Sequence, residues 1–454
     1  MLDWAKRLFG YSAARDSLTR ESVLTNLMST DRELNTHDRK KVIARSRDLA
    51  EDSAIVKWAL EQHSTYNSRF NFQCQTGNRE LDDAIEQIVY EWSKPGNFEV
   101  TGRHSLAEFI RLVEICRTID GDIGIMKLAD GRVQALESDR IRTPNDIDSD
   151  PVWIHGVKTD DAGAAIAYAV HTRGRYGTYH LERVVPAKNL ILHGYYSRFD
   201  QIRGVGLLVS AANTFADIQE SFNYALAKAK LMQLFGLTFT QDENREKLSK
   251  EAEAAQAEKR ENRRMALQDK ATYMLELEQG EEVKPIESAQ PSNQFQDYQK
   301  LMIMVALKSL GISYSMFDED HTNFFGSRSA IIQYIELCKP RRASNKYLLE
   351  NLTRWRLSKE VLEGRLILPN GMKVSDLEFE WAPEGKPWFK PDEEAKGLIT
   401  VLAGGLDSPS GVCHSLGRDY KDIVDETARD MEYAKSKGVH YAWMTEDKNL
   451  NIGT

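Results

Sequence analysis

Apolar residues recur every three to four positions along residues 39–63, where Val42, Ala50, Ile55, Ala59 and Leu60 share a helical period. The same period holds over residues 80–92 through Leu81, Ile85, Ile88, Val89 and Trp92, until Lys94-Pro95-Gly96 breaks it. Ser105 followed by Glu108 has the form of a capping box, which predicts a third helix over residues 106–118. The period then shortens. Between residues 120 and 193, apolar runs at 123–128, 133–136, 154–157, 165–171 and 190–193 are separated by turn signals such as Asp130-Gly131. These predict strands of a mainly antiparallel sheet.

Helical spacing returns over residues 204–235, carried by Leu208, Phe215, Ile218, Phe222 and Leu226. Residues 238–270 differ from the rest. No Gly or Pro occurs between Leu237 and Gln279, and acids and bases alternate in rough balance. A solvated, ion-pair-laced helix or an exposed insert is predicted there, with a short strand at 273–277 after it. A helix over 295–311 ends at Gly311. After an irregular stretch, a long helix is predicted over 327–363 with Pro340 inside it. Proline has no N–H for the Glu336 carbonyl, so a kink is expected near 335–339. Beyond Pro369-Asn370-Gly371 the pattern gives a strand through Trp381 and helices at 392–403 and 420–437. The first 30 residues read as a polar arm, and no internal repeat is visible.

The chain has 454 residues, 41% hydrophobic and 28% charged, enough to bury real cores in about three domains. No apolar run approaches the roughly 20 residues that span a bilayer, so no membrane association is expected. Residues 1–9 lack the apolar centre of a signal peptide, which implies synthesis in the cytosol. Cys74, Cys116, Cys338 and Cys413 are far apart and suit a reducing compartment without disulfides. The net charge of −9 argues against a protein that holds nucleic acid by neutralising phosphates, but not against one that lets DNA slide past.

Signatures of catalysis are missing. There is no GxxxxGK[ST] loop, and Gly204-Val205-Gly206 lacks the third glycine of a dinucleotide fingerprint, with Val209 in its place. The histidines form no HxxxH pair, and no Cys/His cluster has zinc spacing. Ser415 lacks the first glycine of a nucleophile elbow and reads as part of a polar loop before a helix. Asp120/Asp122, Asp160/Asp161 and Asp318/Asp320 could each hold a divalent metal, although acidic pairs in loops are usually solvated. His193, at a strand end, reads as a packed or capping histidine. No catalytic residue, cofactor site or metal site is assigned, which leans towards a structural or assembly role.

Several fragments in a fixed order resemble the lambda-type portal proteins of tailed bacteriophages. They run from Glu33-Leu34-Asn35 and Arg45-Ser46-Arg47-Asp48-Leu49 through Gly121-Asp122 and Glu137-Ser138-Asp139-Arg140-Ile141. Val185-Pro186-Ala187, Leu192-His193 and Gln201-Ile202-Arg203-Gly204-Val205 follow. Gln279-Gly280-Glu281, Gly311-Ile312-Ser313-Tyr314, Phe325-Gly326-Ser327-Arg328-Ser329-Ala330, Trp381-Ala382-Pro383 and Gly417-Arg418-Asp419 complete the series. The resemblance covers about residues 32–438.

It implies a helix-rich α+β portal fold of wing, stem, clip and crown. An arm (1–30), a wing of helices and sheet (31–203), a first stem helix (204–236) and a clip with the charged insert (237–292) come first. A second stem helix (293–315), a tunnel loop (316–326), a kinked tunnel helix (327–364) and a C-terminal wing and crown region (365–454) follow. It further implies a closed ring of about twelve copies at one capsid vertex of the virion, assembled in the host cytoplasm. The partners would be the terminase, the major capsid protein or scaffold, a head-completion or adaptor protein, and double-stranded DNA passing through the channel.

The tunnel loop would present Asp318, Glu319, Asp320, His321, Thr322, Asn323 and Phe324 to DNA; alternatively its aromatics, Phe325 above all, anchor it to the subunit core. Glu251, Glu258, Arg260 and Arg263 would meet the terminase. Arg203, Ser327, Arg328 and Pro340 would be structural, the two arginines in buried or intersubunit ion pairs. The rival readings are a metal-dependent nucleic-acid-processing enzyme built on one of the acidic pairs, and a capsid-associated adaptor or scaffold.

Overall fold

The computed structural model describes residues 28–144, 153–234, 237–241, 281–285, 293–318, 324–369, 371–385 and 390–439. The chain divides into two units, one made of residues 1–212 and 307–454 and the other of residues 213–306.

The larger unit opens with a single turn, α1 (Thr30–Glu33), and two helices, α2 (Thr36–Asp52) and α3 (Ala54–Asn67). The one helix expected over residues 39–63 is therefore two. Ser53 sits between them in extended conformation, and its side chain caps the second by accepting from the Val56 N–H. Strand β1 (Phe70–Cys74) leads to α4 (Arg79–Trp92), and Ser105 and Glu108 form the predicted capping box at the start of α5 (Leu106–Asp120). Gly121 ends that helix at φ 100, a left-handed conformation that favours glycine.

The antiparallel strands follow: β2 (Asp122–Lys127), β3 (Val133–Glu137), β4 (Trp153–Ile154), β5 (Val157–Thr159), β6 (Ala165–Arg173), β7 (Tyr179–Pro186) and β8 (Leu190–Gly194). They form two sheets, ordered β3-β2-β8 and β4-β5-β6-β7. The single strand expected at 154–157 is a hairpin, because His155 and Gly156 turn at φ 48 and 86. Leu207–Ala211 is a 3-10 turn, so the helix expected from residue 204 begins only at Ala212.

In the smaller unit, α6 (Ala212–Leu234) is followed by β9 (Leu237–Gln241), which pairs antiparallel with β10 (Glu281–Pro285), and then by α7 (Asn293–Leu307). The start of the charged stretch is thus a strand rather than a helix. Its remainder and the strand expected at 273–277 lie outside the described residues.

The chain returns to the larger unit through a turn closed by Gly311 at φ 77. A single turn, α8 (Tyr314–Phe317), occupies part of the expected irregular stretch. The long helix α9 (Phe324–Leu362) begins three residues before its expected start and runs 39 residues. Strand β11 (Phe379–Pro383) pairs with β1, and α10 (Pro391–Ala403), α11 (Pro409–Ser415) and α12 (Tyr420–Ser436) follow. Ser415 ends a short helix rather than lying in a loop.

Two cores share strand β2. Ile123 and Ile125 face a core with Leu81, Ile85, Trp92, Phe109 and Val113 of α4 and α5 and with Leu348, Leu349 and Leu352 of α9. Met126, on the opposite face, joins Leu136, Tyr168, Val170 and Val185 of the strands. Alternation along a strand places successive side chains on opposite faces, so one strand binds helices to sheet. Trp92 donates its indole N–H to the Gly131 carbonyl and Trp381 to Thr353, each at 3.0 Å. The four cysteines form no disulfide. Among the described residues, no helix is long and apolar enough to cross a membrane.

Candidate functional site

Asp122 begins β2 in a fully buried position. Arg203 holds both of its oxygens, from Nε at 2.7 Å and Nη2 at 2.8 Å, and Arg39 donates at 3.1 Å. Ser138 and the Gly204 N–H donate to the same carboxylate at 2.6 and 2.8 Å. Burial alone would raise the Asp122 carboxyl, but Arg203 and Arg39 outweigh it and hold the pKa down to about 2. Burial, with repulsion from Arg203, lowers Arg39 to about 10, so it stays charged at neutral pH. Asp31 in α1 accepts from the Ile202 and Arg203 backbone N–H groups at 2.8 and 3.1 Å. Gly204 crosses Gly121 so closely that a Cβ on Gly204 would lie 2.1 Å from the Gly121 carbonyl oxygen. The motif around Arg203 is therefore a buried tie between α1, α2, β2 and the segment leading to α6.

A second cluster brings together Asp120, Glu137 and Asp139, with carboxylate oxygens within 4.8 Å of one another. Arg47 takes the place a cation would need: its Nη2 lies 2.5, 3.1 and 2.8 Å from Asp120, Glu137 and Asp139. Arg173 also pairs with Glu137 and Asp139. Asp160 is used locally, accepting from the Ala162 and Ala164 N–H groups. Asp120 and Asp122 are thus committed to arginines, which removes the metal reading for that pair.

The third cluster lies against α9. Glu114 and Arg117 of α5, His63 of α3, His193 of β8 and Asn345 of α9 are all buried. Asn345 donates to Glu114 Oε2 and to the Asn67 carbonyl, both at 2.9 Å, and its Oδ1 accepts from Arg117 at 3.1 Å. His193 Nε2 meets the same Oδ1 at 2.9 Å. His193 is a packed histidine, and burial together with Arg117 lowers its pKa to about 3. Burial opposes ionisation of Glu114, yet Arg117 and the His63 hydrogen bond leave its carboxyl well below the usual range. Glu114 and Arg117 continue the stripe of Ile110 and Val113 on the buried side of α5. Charged residues on an apolar face are costly unless paired; that break in the pattern was the available signal for this cluster.

Arg203 is buried in an ion pair with Asp122 of its own subunit. Arg328, in the second turn of α9 just after Ser327, has Nη2 3.4 Å from Glu394 of α10. Pro340 lies inside α9. Asp318 accepts from the Tyr314 hydroxyl at 3.2 Å at the end of α8. Glu319, Asp320, His321, Thr322 and Asn323 lie outside the described residues, as do Glu251, Glu258, Arg260 and Arg263; Phe324 is described only as the first residue of α9. Phe325 is 74% exposed, so it does not anchor the loop in its own subunit's core.

Residues 19–342 match the family model of phage portal proteins of the lambda family. The chain is 24% identical over 389 residues to a probable portal protein of Halomonas phage phiHAP-1, covering 78% of this chain and 71% of the relative. It is also similar to a chain from the neck of an empty gene transfer agent particle solved with C6 symmetry. That likeness has 15% identity and a TM-score of 0.50, and covers 84% of this chain and 94% of the other. A chain from the neck of the native particle, solved with C12 symmetry, gives 14% identity and a TM-score of 0.49 over 85% and 94%. The likeness with a TM-score of 0.50 shows a shared fold. The match to the family model covers most of the chain, and the protein belongs to the lambda family of phage portal proteins.

Proposed function

We propose that copies of this chain close into a ring of about twelve at one capsid vertex, and that double-stranded DNA passes through the bore during packaging and ejection. The observation that carries this reading is α9. Its side from Tyr334 to Glu360 is buried against the body of the subunit, while its start, with Phe325 exposed, is separated by three residues from the acidic run from Asp318 to Asp320 in the sequence. A constriction needs a rigid support joined to a segment carrying acids and aromatics, and the sequence joins the two. A net charge of −9 suits passage without grip, because close phosphate neutralisation would hold the polyanion in place.

In this reading α6 and α7 are the stem, residues 237–292 are the clip, and residues 316–326 are the tunnel loop. The clip, through Glu251, Glu258, Arg260 and Arg263, docks the terminase and later the head-completion protein. ATP hydrolysis belongs to the terminase, and the portal itself performs no catalysis. The protein is assembled in the host cytoplasm and resides in the virion.

Deleting residues 318–323 tests the conduit. Ring assembly is expected to survive while DNA packaging or retention falls; normal packaging by the deletion variant contradicts the reading.

A further inference from the structure

Proline inside a helix removes one backbone donor and crowds the preceding turn, so α9 is intrinsically weakest around Pro340. The side chains around that turn are arranged to hold it. Arg342 donates from Nη2 to the Ile335 carbonyl, on the N-terminal side of the proline, at 3.1 Å. Arg341 donates from Nη1 to the Leu310 carbonyl at 3.0 Å, in the turn that Gly311 closes. The same Nη1 lies 3.2 Å from Nδ1 of His63. On the other side of the proline, the Tyr334 hydroxyl lies 3.0 Å from that same Nδ1.

His63 is fully buried, and its Nε2 is 2.9 Å from Glu114 Oε1 and 3.2 Å from the Tyr195 hydroxyl. A neutral imidazole carrying its hydrogen on Nε2 satisfies the whole set. It donates to Glu114 and accepts at Nδ1 from Tyr334 or Arg341, a tautomer assigned from the network. One ring therefore touches α9 before and after Pro340 and is itself tied to α5. Ala330, Tyr334, Ile335 and Cys338 are buried ahead of the proline, and Asn345, Leu348 and Leu349 beyond it. None of residues 325–329 is buried.

We infer that His63 is a positioning residue that locks α9 across Pro340, so the helix does not swivel at the proline and movement at its start is confined to residues before Tyr334. The lock works with a neutral ring. Around the ring and its direct partners stand Glu114 and Arg117 from α5, His193 from β8, Tyr195 just after it, Tyr334, Cys338 and Arg341 from α9, and Tyr66 and Asn67 from its own helix. A proton on Nδ1 would replace the acceptor with a donor and set a cation against Arg341 and Arg117. The consequence for a loop over DNA rests on the proposed function, whereas the lock itself does not.

Hydrogen exchange on the full-length protein, without DNA, tests it. In His63→Leu, amides of residues 335–347 are expected to exchange about tenfold faster than in the parent, with α5 protection kept. His63→Gln, whose amide can both donate to Glu114 and accept from Tyr334, is expected to restore slow exchange. Unchanged exchange at 335–347 in a folded His63→Leu variant overturns the lock, and so does failure of His63→Gln to restore it. Should His63→Leu not fold, Tyr334→Phe removes only the hydroxyl. Local acceleration of about threefold then supports the lock, and none overturns it. A packaging defect or its absence leaves these outcomes untouched, so the lock and the conduit can fail separately.

Discussion

Arg203 holds both oxygens of Asp122, at 2.7 and 2.8 Å, with all of these atoms withdrawn from water. A buried pair of this kind adds little over a well-packed apolar pair, but removing one partner strands the other charge at a cost of roughly 3–5 kcal/mol. Asp122→Ala leaves Arg203 and Arg39 facing each other without their shared anion. It is expected to lower the unfolding free energy of the isolated subunit by about 3–5 kcal/mol, read by chemical denaturation. Arg203→Lys is expected to destabilise as well, because an ammonium cannot make the two-point contact and also reach the Ile141 and Ser138 carbonyls. A loss below about 1 kcal/mol in Asp122→Ala would remove the tie from the account.

Acid is expected to weaken the subunit in two stages. His193 and His63 both have pKa values lowered by burial. In the unfolded chain each takes up a proton below about pH 6.5. Their contribution is therefore complete above that value and declines as pH falls towards the folded value, about 3 for His193. The slope is roughly 1.4 kcal/mol per pH unit for each ring. Asp122, depressed to about 2, adds stability that is present above about pH 4 and lost as pH falls through its folded value. Thermal midpoints measured from pH 7 to pH 5 should fall, and His193→Gln should flatten that slope. Parallel slopes in parent and variant would show that His193 does not titrate in this way.

Phe325 begins the family-like run at the start of α9 and is 74% exposed. Replacing it with serine should change subunit stability by no more than about 0.5 kcal/mol, as for other exposed positions. DNA retention in assembled particles should fall. A large loss of stability would make the residue an anchor, and unchanged retention would take it out of the channel.

The larger features of the fold were legible because they follow from local periodicity. The capping box at Ser105, the helix over Arg79–Trp92 and the long helix around Pro340 all appear where the apolar spacing and caps place them. What the pattern hid has physical causes. Ser53 carries no Gly or Pro to mark the break between α2 and α3; its side chain caps the second helix instead. Strand β7 is an edge strand with mostly exposed side chains, so it lacks the buried alternation that reveals a strand. That Asp120 and Asp122 pair with arginines, rather than standing solvated or holding a metal, was hidden because a carboxylate pattern carries no record of which arginines fold against it. Arg47 and Arg203 lie 73 and 81 residues away along the chain. The Glu114 cluster joins four separate elements, and only the charges on the apolar face of α5 hinted at it.

The central claim is that these subunits join side by side into a hollow ring. Native mass measurement and negative-stain imaging of the purified full-length protein test it most directly. The account predicts a single closed species of about twelve chains with an opening along its axis. Single chains at every concentration, or closed assemblies without an axial opening, would contradict it.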